Sequence, residues 1–423
     1  MRILVLSNFY PPHFIGGYEL GCYEAVEALR AAGHHVDVLT SDYCPESGGV
    51  RGARAAGDGE HVRRHLQTSA DRPTGLRQLR REVQNRRAFR EALRRCRPDV
   101  LYVWNVSHVS FGLLELVREA GVPSAFYVFD DWMSAWGADD AWIATWERRK
   151  SRAWERRLRM LVRAVLDRVG PSTRRPPKHV SSVQFASRYL QERALAAGVR
   201  ADDMRVIHWG VDLDVYRCLI REGGARPTKL LYVGQLVPHK GVHTAIEALA
   251  LLVETGRCPE ATLTVVGGST MPSYVKRLEA LVEERGLRGR VELAGGLPRE
   301  SLAAVYARHD VAIVPSIWAE PFGIVQLEAM ASGLAVVGTA TGGSAEVLRD
   351  GVNGLVFGVD DAAACAACIA RLIAEPELYD RLRLAGRGIV EKEFTIGRTV
   401  GEIESALAEI AGRANAASAP ARD

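Results

Sequence analysis

The stretch AEPFGIVQLEAMASG, residues 319–333, decides more about this 423-residue chain than any other part of it. It sets two glutamates, Glu320 and Glu328, eight positions apart around Pro321-Phe322-Gly323. The apolar run Val311 to Pro315 before it predicts a strand, and Ile324, Leu327 and Ala331 recur after it at helical spacing. Glu320 is therefore expected in the loop at the carboxyl end of a strand, and Glu328 about one and a half turns into the next helix. The amides of Gly323, Ile324 and Val325 would open that helix with unpaired N–H groups, which favour a phosphate. A carboxylate accepts hydrogen bonds from sugar hydroxyls. The spacing thus suits a phosphate carried on polyols, as in a nucleotide sugar.

Outward from this stretch, strands and helices alternate. In the first half Ile3 to Ser7, Val36 to Thr40, Val100 to Trp104 and Ser124 to Phe129 read as strands, with helices Leu20 to Ala32 and Gly112 to Ala120. The second half repeats the pattern. Its strands are Lys229 to Val233, Leu263 to Val266, Val291 to Leu293, Val311 to Val314 and Ala335 to Gly338, with a helix over Val242 to Glu254. Such alternation predicts an α/β protein of two doubly wound, Rossmann-like parallel sheets facing a cleft. Ligands bind beyond the carboxyl ends of such strands. The boundary is expected near Arg217 to Thr228, whose Gly, Pro and charge suit a linker, giving domains 1–216 and 217–394.

Bulk composition excludes several classes. The length suits two domains, and 47% apolar with 25% charged residues is ordinary for a globular protein. A net charge of +4 does not by itself call for nucleic acid. The seven cysteines read as scattered, so neither a zinc site nor a disulfide framework is expected. MRILVLSNFY reads as a buried first strand rather than a signal peptide, and no run is long enough to span a membrane. A reduced, cytoplasmic compartment follows as the default.

Some segments exceed a minimal domain. Asp42 to Asp71, rich in Gly, Arg and Ala, reads as a long loop. Arg77 to Arg97 and Arg148 to Arg168 are arginine-dense helical stretches with apolar residues at helical spacing. For the first, a solvated face on a core-packed helix is the better reading. For Trp132 to Arg168, with tryptophans at 132, 136, 142, 146 and 154, two readings stand. One is the same solvated face; the other is peripheral contact with an acidic or membrane-bound acceptor.

Further motifs lie in order along the chain: FYPPHFIGG (9–17), VGQLVPHKG (233–241), Gly342-Gly343-Ser344-Ala345-Glu346 and GVNGLVF (351–357). Together with the glutamate pair, which has seven residues between its members and is followed by Ala-Met-Ala, they resemble the retaining glycosyltransferases of family four. The resemblance covers Met1 to about Phe394. It implies the GT-B fold, with Thr395 to Gly412 as a helix crossing back to the first domain. The implied activity is transfer of a sugar from a UDP- or GDP-linked donor to an acceptor hydroxyl, with retention of configuration. The alternatives are another activity of the same fold, such as a sugar-phosphate synthase or epimerase, or a non-catalytic nucleotide-sugar binder.

Carried onto this sequence, the resemblance gives Lys240 the donor diphosphate, Glu320 the hydroxyls of the transferred sugar and Glu328 the ribose. Gly16 and Gly17 approach the phosphates or the acceptor, and a loop at Gly296-Leu297-Pro298 meets the base. Phe322, Gly323, Ile324 and Val325 complete the donor set. Two positions depart from the family pattern. Gln235 stands where arginine is usual, removing a charge. Phe129-Asp130-Asp131-Trp132 lacks the histidine of His-Asp-x-Trp. Asp130 keeps the aspartate and has two readings, orienting a hydroxyl in catalysis or capping the following helix. Asp212-Leu213-Asp214 follows a turn-like Trp-Gly-Val and reads as structural, so neither a metal nor another cofactor is expected. The pattern is not GxGxxG, and no acidic residue closes the strand Val36 to Thr40, which argues against a dinucleotide dehydrogenase.

Overall fold

The computed structural model describes residues 1–42, 60–68, 75–138, 140–148, 152–218 and 226–418. Contacts divide the chain into two units: Met1–Ala186, Leu190–Ile207 and Val400–Asp423 form the first, Ser187–Tyr189 and His208–Thr399 the second.

The first unit has seven strands: β1 (Arg2–Leu6), β2 (His35–Ser41), β3 (Val62–Leu66), β4 (Val100–Val103), β5 (Ser124–Val128), β6 (His179–Phe185) and β7 (Arg200–Val206). All pair in parallel, in the order β3-β2-β1-β4-β5-β6-β7. The order reverses between β1 and β4, so the loops after these strands diverge and open a crevice at their carboxyl ends. Its helices are α1 (Gly17–Ala31), α2 (Leu76–Cys96), α3 (Gly112–Glu119), α4 (Trp132–Ala135), α5 (Ala141–Glu147), α6 (Ala153–Val169) and α7 (Arg188–Ala196). The central strands are buried on both faces, as their unbroken apolar runs require: Ile3, Val5, Leu101, Val103, Ala125 and Phe126 are almost wholly covered.

The second unit repeats the plan. Strands β8 (Lys229–Val233), β9 (Thr262–Val266), β10 (Val291–Gly295), β11 (Val311–Val314), β12 (Ala335–Gly338) and β13 (Leu355–Val356) lie in the order β10-β9-β8-β11-β12-β13, again all parallel. Here the order reverses between β8 and β11. Helices α8 (Val242–Glu254), α9 (Pro272–Glu284), α10 (Arg299–Tyr306), α11 (Ile324–Ala331), α12 (Ala362–Ala374) and α13 (Pro376–Glu393) cover the sheet. On α8, Val242, Ala245, Ile246, Leu249 and Leu252 follow the helical period and enter the core beside Leu230, Leu263 and Val311. Each such leucine or isoleucine contributes about 1.5–3 kcal/mol.

Helix α14 (Ile396–Ser418) begins in the second unit, and its residues from Val400 onward belong to the first. It is held there by Glu404 on His34 Nε2 at 2.9 Å and Glu409 on Arg205 at 2.6 Å. It runs six residues past the expected end at Gly412.

Several expectations need correction. The chain passes to the second unit at His208, ahead of the linker-like 217–228, of which 219–225 lie outside the described residues. The reason is backbone pairing: Val211 N–H donates to Phe394 O at 2.9 Å and Ile396 N–H to Val211 O at 3.1 Å. The supposed loop Asp42 to Asp71 contains β3; 43–59 and 69–71 are outside the described residues. Val62-Arg-Arg-His-Leu66 buries only its two ends, too little apolar signal to mark a strand. Helix α1 starts at Gly17, so this glycine is its first residue rather than part of the loop.

The cysteines are not all scattered, because Cys365-Ala-Ala-Cys368 has Cys-x-x-Cys spacing within α12. Burial pushes both thiols up, so neither is a ready thiolate, and all the cysteines described are free. Of the α2 arginines, Arg77, Arg80, Arg87, Arg90 and Arg94 are exposed while Ala88, Phe89 and Ala92 enter the core, but Arg81 departs from the expected solvated face, being buried against Glu82 at 2.9 Å.

Candidate active site

At the reversal of the second sheet, two loops meet. The loop after β8 ends in a short 3-10 turn, Pro238–Lys240, and the loop after β11 carries Glu320. They can approach because Gly241 has no side chain. Its φ is +69°, and a Cβ there would lie 1.9 Å from Pro315 O. The approach brings Lys240 Nζ to 2.7 and 2.9 Å from the two oxygens of Glu320. Ser316 Oγ donates to the same carboxylate, and Nζ lies 5.1 Å from the centre of the Trp318 ring. Glu320 is fixed through its backbone as well: its N–H donates to Thr341 O at 3.2 Å, and its O accepts from Gly343 N–H at 2.7 Å. The Gly342-Gly343 pair permits this, since a Cβ on Gly342 would meet Glu320 O at 2.6 Å and one on Gly343 would meet Pro321 O at 2.1 Å.

The glutamate pair thus divides in environment. Glu320 sits in a polar pocket of lysine and serine. Glu328 lies on α11, 6% exposed, with Tyr216 Oη donating to one oxygen at 2.7 Å and Tyr306 Oη to the other at 2.9 Å. Burial raises its pKa above the usual carboxylate range, while Arg299 and the two tyrosines act in the opposite sense. Each carboxylate oxygen keeps a second lone pair, so accepting the tyrosines leaves room for two hydroxyl donors.

The amides of Gly323, Ile324 and Val325 open α11 and donate no hydrogen bond among the described residues. Gly323 reaches this geometry with a φ of +116°. Phe322 is 1% exposed; its ring stacks on His208 at 5.5 Å and lies against Phe394, so what it offers the loop is main chain rather than a ring. Leu297 is exposed between β10 and α10. Gln235 is half-buried after β8. His239 stacks on Trp318, and burial together with Lys240 depresses its pKa, so it adds no charge at neutral pH. Asp212 Oδ1 accepts the Asp214 N–H at 2.8 Å, a local turn.

In the first unit, Gly16 N–H donates to Glu19 Oε2 at 3.0 Å, which anchors the loop after β1 onto the first turn of α1. Asp130 follows β5. Its Oδ1 accepts Trp132 N–H at 3.0 Å, a local turn one residue ahead of the N-cap Asp131 rather than a helix cap, and its Oδ2 accepts from Asn105 Nδ2 at 3.3 Å. Burial lifts this carboxyl to about 7. Close to Gly16 in sequence, Tyr18 Oη and both ring nitrogens of His13 are buried without a hydrogen-bond partner among the described residues.

Several contributing residues were not legible. Tyr216 and Tyr306 lie 112 and 22 residues from Glu328, and no local pattern joins them to it. Ser316 and Trp318 sit in the Glu320 loop itself and could have been suspected from that placement. Glu346 was noted only as the end of a motif. It accepts from His208 Nε2 at 2.8 Å and from the amides of Arg188 and Tyr189, fastening the segment 187–189 to the second unit. Burial opposes its charge, but these donors hold its pKa below the usual range.

Two parallel α/β sheets, each with a strand reversal, define the class of GT-B proteins. The sucrose-phosphate synthase of Thermosynechococcus elongatus has this fold, superposing with a TM-score of 0.70 at 24% identity over 97% of this chain and 99% of that one. The chain belongs to glycosyltransferase family 4: residues 15–215 match the model "Glycosyltransferase Family 4" and residues 222–388 the model "Glycosyl transferases group 1". It is similar to a glycogen synthase of Mycobacterium tuberculosis, 28% identical over 93% of this chain and 91% of the relative. A GDP-mannose-dependent α-(1-6)-phosphatidylinositol monomannoside mannosyltransferase of Mycolicibacterium smegmatis is also 28% identical, over 83% and 92%.

Proposed function

We propose that this glycosyltransferase moves a sugar from a UDP- or GDP-linked donor to an acceptor hydroxyl with retention of anomeric configuration and without a divalent metal. The observation that carries the donor reading is the Lys240–Glu320 pair beside the open amides of Gly323 to Val325. As the bond to the diphosphate breaks, negative charge grows on the leaving oxygen and positive charge on the sugar. Lys240 and the helix amides stabilise the first, and the Glu320 carboxylate the second. Front-face attack, in which the leaving phosphate accepts the acceptor proton, needs no separate base and preserves configuration. The test is to incubate the full chain with UDP- and GDP-sugars and follow nucleotide release without acceptor. Failure to release sugar or nucleotide from any donor that shifts the melting temperature would leave a binder and overturn the reading.

A membrane-borne acceptor at the cytoplasmic face fits the surface of the first unit. Trp132, Trp136 and Trp142 are buried in the core and Trp146 is half-buried, so only Trp154 of the five is left for a docking surface, a correction to that part of the expectation. Helix α6 differs. Its half-buried side carries Arg159 and Asp167, bonded to Thr145 O and to Thr173 and Arg174. Its other side leaves Trp154, Leu158, Leu161 and Val165 each more than half exposed, with Arg157 and Arg168 beside them. An apolar stripe turned outward and edged by arginine suits an anionic bilayer. The phosphatidylinositol-linked acceptor in one relative's name supports the same reading. Among the described residues no helix is long and apolar enough to cross a membrane, so the contact would be peripheral. Sedimentation with anionic vesicles should be lost in Leu158→Glu/Leu161→Glu; equal sedimentation of variant and parent would refute it.

A further inference from the structure

We propose that the first unit holds a zinc-type divalent cation between β2 and β3, on His35, Asp37 and His61, none of them a residue assigned to glycosyl transfer. Strand geometry puts the three together. His35 and Asp37 are two apart on β2 and so project from the same face. Val38 pairs with Val62, which places His61 opposite Asp37 on the neighbouring strand and on that face as well.

One ligand atom from each residue lies within 4.8 Å of the others. His61 Nδ1 is 3.2 Å from Asp37 Oδ1, and His35 Nε2 is 3.7 Å from Asp37 Oδ2. Zinc bonds of about 2.0–2.1 Å in a tetrahedron put neighbouring ligand atoms about 3.3–3.4 Å apart. The observed spacings bracket that value. Asp37 is 4% exposed and supplies the negative charge a cation requires.

His61 Nδ1 is hydrogen-bonded to Asp37 Oδ1 at 3.2 Å, and its Nε2 lies 3.6 Å from Glu60 Oε1. A cation held by the three residues would take the place of the proton between Nδ1 and the carboxylate. The three residues leave the fourth position of a tetrahedron to water. The charged groups around the cluster include Arg2, which pairs with Asp99, and Arg63, which donates to Glu60 O. Both are engaged outside the cluster.

The test uses the full chain without a histidine tag, stripped of metal by chelator and dialysed. Titration with Zn²⁺ should show one site per chain, and Co²⁺ should give the intense visible spectrum of tetrahedral coordination. His35→Ala and His61→Ala, both partly exposed positions, should fold normally and lose affinity by more than about 100-fold, beyond the loss of an outer-shell partner. Absence of binding in the parent would overturn the proposal. Binding retained in the His35→Ala/His61→Ala variant would overturn it equally. Donor hydrolysis in these variants should match the parent, which separates this site from the transfer reaction.

Discussion

Lys240 is asked to do two things at once, and this makes its neighbourhood the sharpest place to test the donor reading. An ammonium group has three protons. In the free protein two of them are directed at Glu320 Oε1 and Oε2, at 2.7 and 2.9 Å. A donor diphosphate must therefore take the third, or displace one bond to Glu320. A charge-assisted hydrogen bond is worth about 1.5–3 kcal/mol, so Lys240→Ala should weaken nucleoside diphosphate binding about 10–150-fold. The parent nucleoside, lacking phosphates, should lose little. Glu320→Gln acts in the opposite direction on binding. It releases the ammonium from one ionic partner and should tighten the diphosphate by about twofold to tenfold, the worth of one net hydrogen bond. The same change should lower turnover strongly, because the carboxylate stabilises the cationic sugar only as the bond breaks. Calorimetric titration with nucleoside and nucleoside diphosphate, beside donor hydrolysis, separates the effects. Equal losses for both ligands in Lys240→Ala would refute the phosphate assignment. Weaker diphosphate binding in Glu320→Gln would refute the idea that the two partners compete for Lys240. The double variant closes the cycle and measures the coupling itself.

Glu328→Ala should raise the donor dissociation constant while leaving turnover of bound donor largely intact, since ribose contacts hold ground and transition states alike; a large turnover loss at unchanged affinity would refute the ribose role. Asp130 gives a pH test. An unfolded aspartate titrates near 3.9, whereas this one holds its proton to about 7 through burial, so the folded state binds the extra proton and stability falls as pH rises through that window. Asp130→Asn keeps an acceptor for Trp132 N–H and should be about 1–3 kcal/mol more stable than the parent near pH 8 but similar near pH 4, measured by urea unfolding; a pH-independent difference would refute the burial account. Excess EDTA should leave transfer within about twofold at low temperature, an allowance for salt effects. It should lower the melting temperature if the β2–β3 cation is present. Loss of transfer restored by magnesium or manganese would return attention to Asp212 and Asp214.

The alternation of strand and helix was legible because buried parallel strands need unbroken apolar runs and their covering helices need a 3.6-residue stripe. It failed at three sheet edges and at β6, beside one of them. β3 and β7, as Val-Arg-Arg-His-Leu and Arg-Ala-Asp-Asp-Met-Arg-Val, bury few side chains and carry almost no apolar signal. Lys240 and Glu320 were legible as candidates from motif spacing, but their pairing was not, because it depends on two loops eighty residues apart. The same holds for Tyr216 and Tyr306 on Glu328. The tryptophans misled for a physical reason: indole is both the largest core filler and a common interfacial group, and composition cannot separate the two uses.

Gly241 explains why the lysine motif ends in glycine. The loop after β8 must turn inward at Lys240 for Nζ to meet Glu320, and the turn puts the next residue against Pro315 O at the end of β11. A Cβ at 1.9 Å cannot be relieved by a side-chain rotation, because the obstacle is backbone. The φ of +69° adds a second cost for any other residue. A substitution here would therefore move the loop rather than merely strain it, and Lys240 would leave Glu320 with it. The loops that follow β8 and β11, neighbours at the sheet reversal, thus meet at Gly241, and that meeting sets the Lys240–Glu320 geometry. Fold and charge geometry are joined at one glycine, and the proposed donor site would hold a phosphate beside a sugar hydroxyl at that point.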